Sequence, residues 1–262
     1  MKTTTLFSVQ DYSFSIGKAQ ILQDLNFDIA AGEYLSIIGP NGAGKTTLLK
    51  CLVGIYSEGD GKITLNGKPL EAFSRKELAI QISYVPQAET GPVAFTAGEF
   101  VLMGRYPHLS PFSSIKENDR EEAIEAMRVT GTLEFADRHL ETLSGGERQK
   151  VFIAAALAQG AQTLLLDEPT TFLDPRHADD VMRTLSRLNE ESGVTIISVT
   201  HDINIAALEC DRVLALKDGR VIFWGSPAEI MDSMVLENIF ERNFIMAEHP
   251  VTGRSYVVPG RA

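Results

Sequence analysis

Eight consecutive residues, Gly39-Pro40-Asn41-Gly42-Ala43-Gly44-Lys45-Thr46, fit the spacing G-x-x-x-x-G-K-[ST]. The chemistry this pattern suits is phosphate binding. Glycines let backbone N–H groups converge on phosphate oxygens with no Cβ in the way. The apolar stretch that follows, Thr47 to Leu52, reads as a helix, and a helix N-terminus adds partial positive charge to the same spot. Lys45 is then placed to reach the β- and γ-phosphates of a bound nucleotide, and the Thr46 hydroxyl to ligate Mg²⁺.

A second constellation is Thr163-Leu164-Leu165-Leu166-Asp167-Glu168, two carboxylates directly after a buried-strand pattern. Open α/β sheets bind ligands at the carboxyl ends of their strands. Asp167 suits the Mg²⁺ shell, through a water, and Glu168 suits a general base that polarises an attacking water. A solvated acid at a strand end is the bland alternative, and the phosphate loop in the same chain argues against it.

The third is Leu143-Ser144-Gly145-Gly146-Glu147-Arg148-Gln149. Ser144 and Glu147 have capping-box spacing, which an ordinary helix start would explain. Two glycines in a first turn fit that poorly. They fit a backbone that must come close to an anion at a helix N-terminus.

These residues need strands and helices to hold them. Leu35 to Ile38 and Thr163 to Leu166 read as short buried strands of a parallel sheet, as does the β-branched run from Val194 to Thr200. Asp174-Pro175 reads as N-cap and first residue of a helix with Val181, Met182, Leu185 and Leu188 on one face, stopping before Gly193. Gly61 to Gly67 reads as a hairpin piece turned by Asn66-Gly67. Alternating strands and helices imply an α/β fold. Thr96 to Leu143 carries no strand pattern. Glu117 to Met127 is a charged amphipathic helix there, and Leu133 to Phe135 another helical piece, so the stretch reads as an inserted helical subdomain.

The chain has 262 residues and a formal net charge of −11, with 44% hydrophobic and 23% charged residues. That composition excludes disorder and fibrous repeats across the whole chain, and the acidity argues against nucleic-acid binding by bulk charge. No apolar run approaches the roughly 20 residues that span a bilayer, and MKTTTLFSVQ carries no secretory-signal pattern. Two cysteines, Cys51 and Cys210, make no disulfide framework, and the scattered His108, His139, His177 and His249 make no ligand set. Trp224 reads as a strand residue packed on the core. The apolar residues Phe244, Ile245, Met246, Tyr256, Val257 and Val258 predict an ordered tail.

The segment LSGGERQ resembles the signature sequence of the ATP-binding cassette (ABC) family, and the family's remaining motifs occur in its order. Gln87, in Tyr84-Val85-Pro86-Gln87, resembles the Q-loop glutamine, Phe172-Leu173-Asp174 the D-loop, and His201 the switch histidine. The match runs from about Leu6 to about Gly225. The resemblance implies a P-loop NTPase core with a mainly parallel sheet, an antiparallel β subdomain at the N-terminus and an inserted helical subdomain. The whole chain, 1–262, is then one ATPase domain, with the core in 1–95 and 144–240, the insert in 96–143 and a tail in 241–262. It also implies that residues 39–47 bind ATP, that Lys45, Glu168 and His201 are catalytic, and that Thr46, Gln87 and Asp167 serve Mg²⁺. Two copies pair head to tail, so that Ser144, Gly145, Gly146 and Gln149 contact nucleotide held by the partner, with Asp174 in the D-loop between.

Two positions depart from the family pattern. Ile16 stands where many members stack an aromatic residue on adenine, with Tyr12 and Phe14 as nearby alternatives, and Phe172 stands where a small residue is usual. Three stretches resemble importers of iron–siderophore complexes, haem and cobalamin: Phe95 to His108, Val199 to Ala206, and Gly225 to Ile230. The expectation is the ATPase subunit of such an importer: a homodimer on the cytoplasmic face of the inner membrane, attached through separate permease subunits, served indirectly by a substrate-binding protein, and without a nucleic-acid partner. The permease is expected to dock around Gly104 to His108. The alternatives are an importer of another small solute and a soluble cassette of the iron–sulfur assembly or DNA repair type. A single cassette and a short insert disfavour the latter.

Overall fold

The computed structural model describes residues 4–87, 94–110, 114–248, 253 and 255–259. The chain forms two compact units, 1–72 with 197–262, and 73–196.

The first unit opens with two long antiparallel strands, β1 (Thr5–Ile16) and β2 (Ala19–Ala30). Leu22, Leu25, Phe27 and Ile29 of β2 are buried, with exposed Asp24, Asn26 and Asp28 among them, the period-two signature of a half-buried sheet. Strand β3 (Tyr34–Ile38) is buried along its whole length, and helix α1 (Lys45–Leu52) follows it. Strands β4 (Asp60–Leu65) and β5 (Lys68–Pro69) complete the antiparallel sheet in the order β2-β1-β4-β5. Between them Asn66 and Gly67 both have positive φ, 51° and 76°, as a two-residue hairpin turn of the Asn-Gly kind requires.

The second unit contains α2 (Arg75–Gln81), β6 (Ile82–Val85), α3 (Ala97–Met103), α4 (Glu117–Val129), α5 (Gly145–Ala158), β7 (Thr163–Asp167) and α6 (Pro175–Ser192). Strands β6 and β7 pair in parallel, with Val85 opposite Leu166. The helical insert has its own apolar cluster, in which Ala97 and Val101 of α3 meet Ala123 and Met127 of α4. Helix α5, which the sequence reading assigned to the α/β core, completes that cluster with Val151, Ala154 and Ala158. Arg105 stiffens the same region. Its Nε lies 3.2 Å from Asp119 Oδ1, and its Nη1 donates to the Ala158 carbonyl at 2.7 Å. Helix α6 has Asp174 as N-cap, buries Val181, Met182, Leu185 and Leu188, and ends at left-handed Gly193, as its sequence predicts.

The chain returns to the first unit through β8 (Thr195–Val199), whose five residues are all buried. Then come α7 (Ile203–Glu209), β9 (Arg212–Lys217), β10 (Arg220–Gly225), α8 (Pro227–Ile230), α9 (Ser233–Phe240), β11 (Phe244–Glu248) and β12 (Ser255–Pro259). Strand β9 runs parallel to β3, and β10 antiparallel to β9. Trp224 on β10 packs against Phe27 at 5.6 Å, and the Arg212 guanidinium lies over its ring at 5.2 Å. The tail is a hairpin, β11 against β12. Residues 249–252, 254 and 260–262 of the expected tail, His249 among them, lie outside the described residues. The architecture is the mixed α/β fold expected, a mainly parallel sheet with an antiparallel β subdomain. Among the described residues no helix is long and apolar enough to cross a membrane.

Candidate functional site

In the first unit β3 delivers the chain to the phosphate loop. Gly39, Gly42 and Gly44 have φ of 140°, 80° and 99°, a run of backbone conformations that side chains other than glycine's resist. At Gly39 there is also no room, since a Cβ would lie 2.0 Å from the Leu216 carbonyl oxygen. Lys45 is buried, and its Nζ donates to the carbonyls of Gly39 at 2.8 Å and Pro40 at 2.9 Å. A buried ammonium at the start of a helix favours an anion beside it, so the loop fits the phosphates of a nucleotide. Helix α1 starts at Lys45, two residues before the apolar run that marked it in the sequence. Thr46 is therefore in its first turn, exposed, with Thr47 half-buried behind it.

Of the three adenine candidates, Ile16 is 51% exposed at the end of β1. Tyr12 and Phe14 are core residues, and Phe14 stacks on Tyr56 at 5.0 Å. His201 is exposed between β8 and α7. The residue before it, Thr200, donates its N–H to the Ile37 carbonyl at 3.1 Å, and Asp202 after it caps α7.

The second unit brings together the Q-loop glutamine and the acids after β7. Gln87 Nε2 donates to Glu168 Oε2 at 3.0 Å, and Thr171 Oγ1 donates to the same oxygen at 2.8 Å. Glu168 has φ 51°, left-handed for a residue with a side chain, which costs strain that the bonds from Gln87 and Thr171 help to hold. Asp167 is buried, and the Tyr84 hydroxyl donates to its Oδ2 at 3.4 Å.

The signature segment and the D-loop also meet. Ser144 is the N-cap of α5, with a full capping box. Its N–H donates to Glu147 Oε2 at 2.7 Å, and its Oγ accepts from the Glu147 N–H at 3.3 Å. That N–H of Ser144, then burial opposing it, then the Ser144 hydroxyl and the charge of Arg138, leave the Glu147 carboxyl below its ordinary range. Gly146 is buried. A Cβ there would lie 2.4 Å from His177 Cβ and Cγ, so close packing of α5 on α6 is itself a reason for this glycine. His177 in turn places Nδ1 2.5 Å from Asp174 Oδ2. Gly145 is exposed, and a Cβ there would lie 3.5 Å from Leu173 Cδ2, an ordinary contact. Gln149, three residues after Gly146 on the same helical face, is buried at 3% exposed. Its Nε2 has no partner among the described residues. Phe172 is 87% exposed at φ 65°.

The sequence assigns no site role to Thr171, Tyr84 or His177, which the structure places against Glu168, Asp167 and Asp174. The available signal for His177 was its i,i+3 spacing from Asp174 at a helix start. Thr171 and Tyr84 carry no comparable pattern.

The family profile described as ABC transporter matches residues 22–171. The chain belongs to the ABC transporter family. This cassette is accordingly an ATPase. It is 40% identical over 247 residues to the iron(3+)-hydroxamate import ATP-binding protein FhuC of Bacillus subtilis, covering 94% of this chain and 92% of that one. It is 39% identical over 245 residues to the hemin import ATP-binding protein HmuV of Rhodococcus jostii, covering 94% and 83%. Among solved structures it superposes on a metal-chelate type ABC transporter in an inward-facing conformation with a TM-score of 0.87, at 30% identity and 98% coverage of both chains.

Proposed function

We propose that this cassette is the ATP-hydrolysing subunit of a membrane importer of metal chelates, of the class that includes iron–siderophore complexes, haem and cobalamin. The phosphate loop and Lys45 bind the phosphates of ATP, and Ile16 offers the adenine an apolar surface. Glu168 takes the proton of the attacking water, with Gln87 and Thr171 fixing the carboxylate in direction. His201 holds the γ-phosphate. Thr46 and Asp167 are hard oxygen donors of the kind that Mg²⁺ takes, with Gln87 as a further contact. An ion held by these residues would neutralise charge on the phosphates. Two copies pair so that Ser144, Gly145 and Gly146, with Asp174 beside them, face the nucleotide of the partner. The exposed position of Ser144 and Gly145 supports that reading.

The observation that carries the transport reading is a groove of about 760 Å³ beside the segment Gly104 to His108. Its lining includes Arg75, Lys76, Met103, Tyr106 and Pro107. Tyr106 is 78% exposed and Met103 50%. An apolar floor with basic flanks suits a short element of a permease subunit, and attachment through it puts the cassette on the cytoplasmic face of the inner membrane. A net charge of −11 agrees with attachment through protein and not through anionic lipid. The cargo reading rests on relatives named for iron-hydroxamate and for hemin import at nearly equal identity, which supports the chelate class above either member.

The test is a tagged cassette purified from detergent-solubilised membranes, beside a Met103→Asp/Tyr106→Ala variant. The expected result is recovery of an integral membrane partner with the unaltered chain only, ATPase activity surviving in the variant, and loss of chelate uptake in cells lacking the chain. Soluble partners alone, with uptake intact, would refute the importer reading.

A further inference from the structure

We infer that the C-terminal hairpin is a clasp on the helix behind His201, and that Asn204 is the positioning residue through which it acts. This rests on the reading of His201 as a γ-phosphate contact. Asn204 lies in the first turn of α7, three residues after His201. Its side-chain amide pairs with the main chain of Val257 in β12 through two reciprocal bonds. The Val257 N–H donates to Asn204 Oδ1 at 2.7 Å, and Asn204 Nδ2 donates to the Val257 carbonyl at 3.1 Å. A carboxamide reproduces one peptide unit of a β-ladder, and asparagine alone has the donor, the acceptor and the length for it at this position. The two residues are 53 apart in sequence.

The clasp matters because α7 is short and only partly buried. It has seven residues, of which only Ala206 is buried. A helix that short does not hold itself together in water. Asp202 caps its N-terminus, accepting from the N–H groups of Asn204 at 2.9 Å and Ile205 at 3.1 Å. The remaining anchor is the apolar cluster that joins Ala206 to Val257, with Phe244 and Met246 of β11 packed on it. Ile38, the residue before the phosphate loop, belongs to the same cluster. The hairpin's inner face therefore packs in the same apolar cluster as the strand end that leads into the loop and the helix that leads away from His201. Release of Asn204 would leave α7 held by the Asp202 cap and the burial of Ala206, without its polar tie to β12.

The test uses the full chain and its steady-state ATPase. Asn204→Ala is expected to lower kcat about tenfold while the KM for ATP stays within about twofold, because positioning and not nucleotide binding is lost. Asn204→Asp keeps the acceptor for the Val257 N–H and loses the donor, and is expected to fall between the two. Hydrogen exchange at the Val257 amide is expected to speed up in Asn204→Ala and to change little in Asn204→Asp, which keeps the acceptor. In a His201→Ala background, which is expected to be nearly inactive by itself, Asn204→Ala is expected to cost nothing further. If Asn204→Ala does not fold, the near-isosteric Asn204→Asp carries the comparison. Wild-type kcat in these variants beside an inactive His201→Ala overturns the clasp alone. Wild-type turnover in His201→Ala overturns the reading of the histidine, and the clasp proposal with it.

Discussion

Gln87 Nε2 and Glu168 Oε2 are 3.0 Å apart, so the glutamine after β6 holds the acid after β7 by a direct hydrogen bond. The two are 81 residues apart in sequence and meet because β6 and β7 are parallel neighbours that end at the same edge. A general base must be directed at its water before its proton affinity matters. Glu168→Gln keeps the size and removes the base. ATP binding is expected to persist, with turnover reduced about 10²–10⁴-fold. Binding by a fluorescent nucleotide and single-turnover hydrolysis check this, and hydrolysis at the wild-type rate would remove Glu168 from the role.

Thr171 donates to the same carboxylate oxygen at 2.8 Å. Thr171→Val preserves the shape and deletes the hydroxyl, and a fall in kcat of about tenfold is expected, with ATP affinity unchanged. Thr171→Ser restores the donor and should recover most of the rate. A variant pair with equal kcat would show that the hydroxyl plays no part.

Gly146 offers a stability test. Any Cβ there meets His177 at 2.4 Å, and α5 and α6 must part to admit it. Gly146→Ala is expected to cost about 1–3 kcal/mol, the range for an overpacked interior site. Removing the imidazole in His177→Ala should relieve part of that cost. Urea unfolding of the four chains measures the coupling, and additivity would contradict it.

Asp174 is held below the ordinary aspartate range, first by the hydrogen bond from His177 and then by the N–H groups of α6. A depressed carboxyl pKa means that the folded state binds its proton less readily than the unfolded one. Its stabilising effect is therefore complete above the unfolded value of about 3.9 and lost as the pH falls through the folded value. Asp174→Asn keeps a cap and loses the charge. The melting temperature of the native chain should exceed that of the variant at neutral pH, and the gap should close in acid below about pH 4. A gap that persists at lower pH would point to packing in place of charge.

Burial pushes the Cys51 and Cys210 thiols up to about 11. At pH 8 about one thousandth of each is then thiolate, the reactive form. Both should resist a thiol reagent in the native protein and react in denaturant. Fast native labelling of either would show that the structure around it opens readily.

Much of the site is legible in the sequence because backbone geometry and local spacing determine it. The glycines and Lys45 of the phosphate loop act through main-chain N–H groups and one adjacent side chain, all within eight residues. Asp174-Pro175 and Ser144-Gly-Gly-Glu147 are helix starts, which short-range hydrogen bonds define. The buried strands announce themselves as apolar runs. What only the tertiary structure decided depends on partners far apart in the chain. The sequence left Tyr12, Phe14 and Ile16 as alternatives for adenine, and packing against Tyr56 put Phe14 inside. It read Gly146 as space for an anion, and the crossing of α5 with α6 supplied a second cause. It grouped α5 with the sheet, and apolar contacts with α3 and α4 joined it to the helical insert. Gln149 shares a motif with Ser144 but is buried, since, five residues on, it lies in the second turn of α5, on the face that packs within the unit. The pairing of Asn204 with Val257 has no local sign at all. A hydrogen bond across 53 residues depends on where the chain turns back, and that follows from the burial of many side chains together.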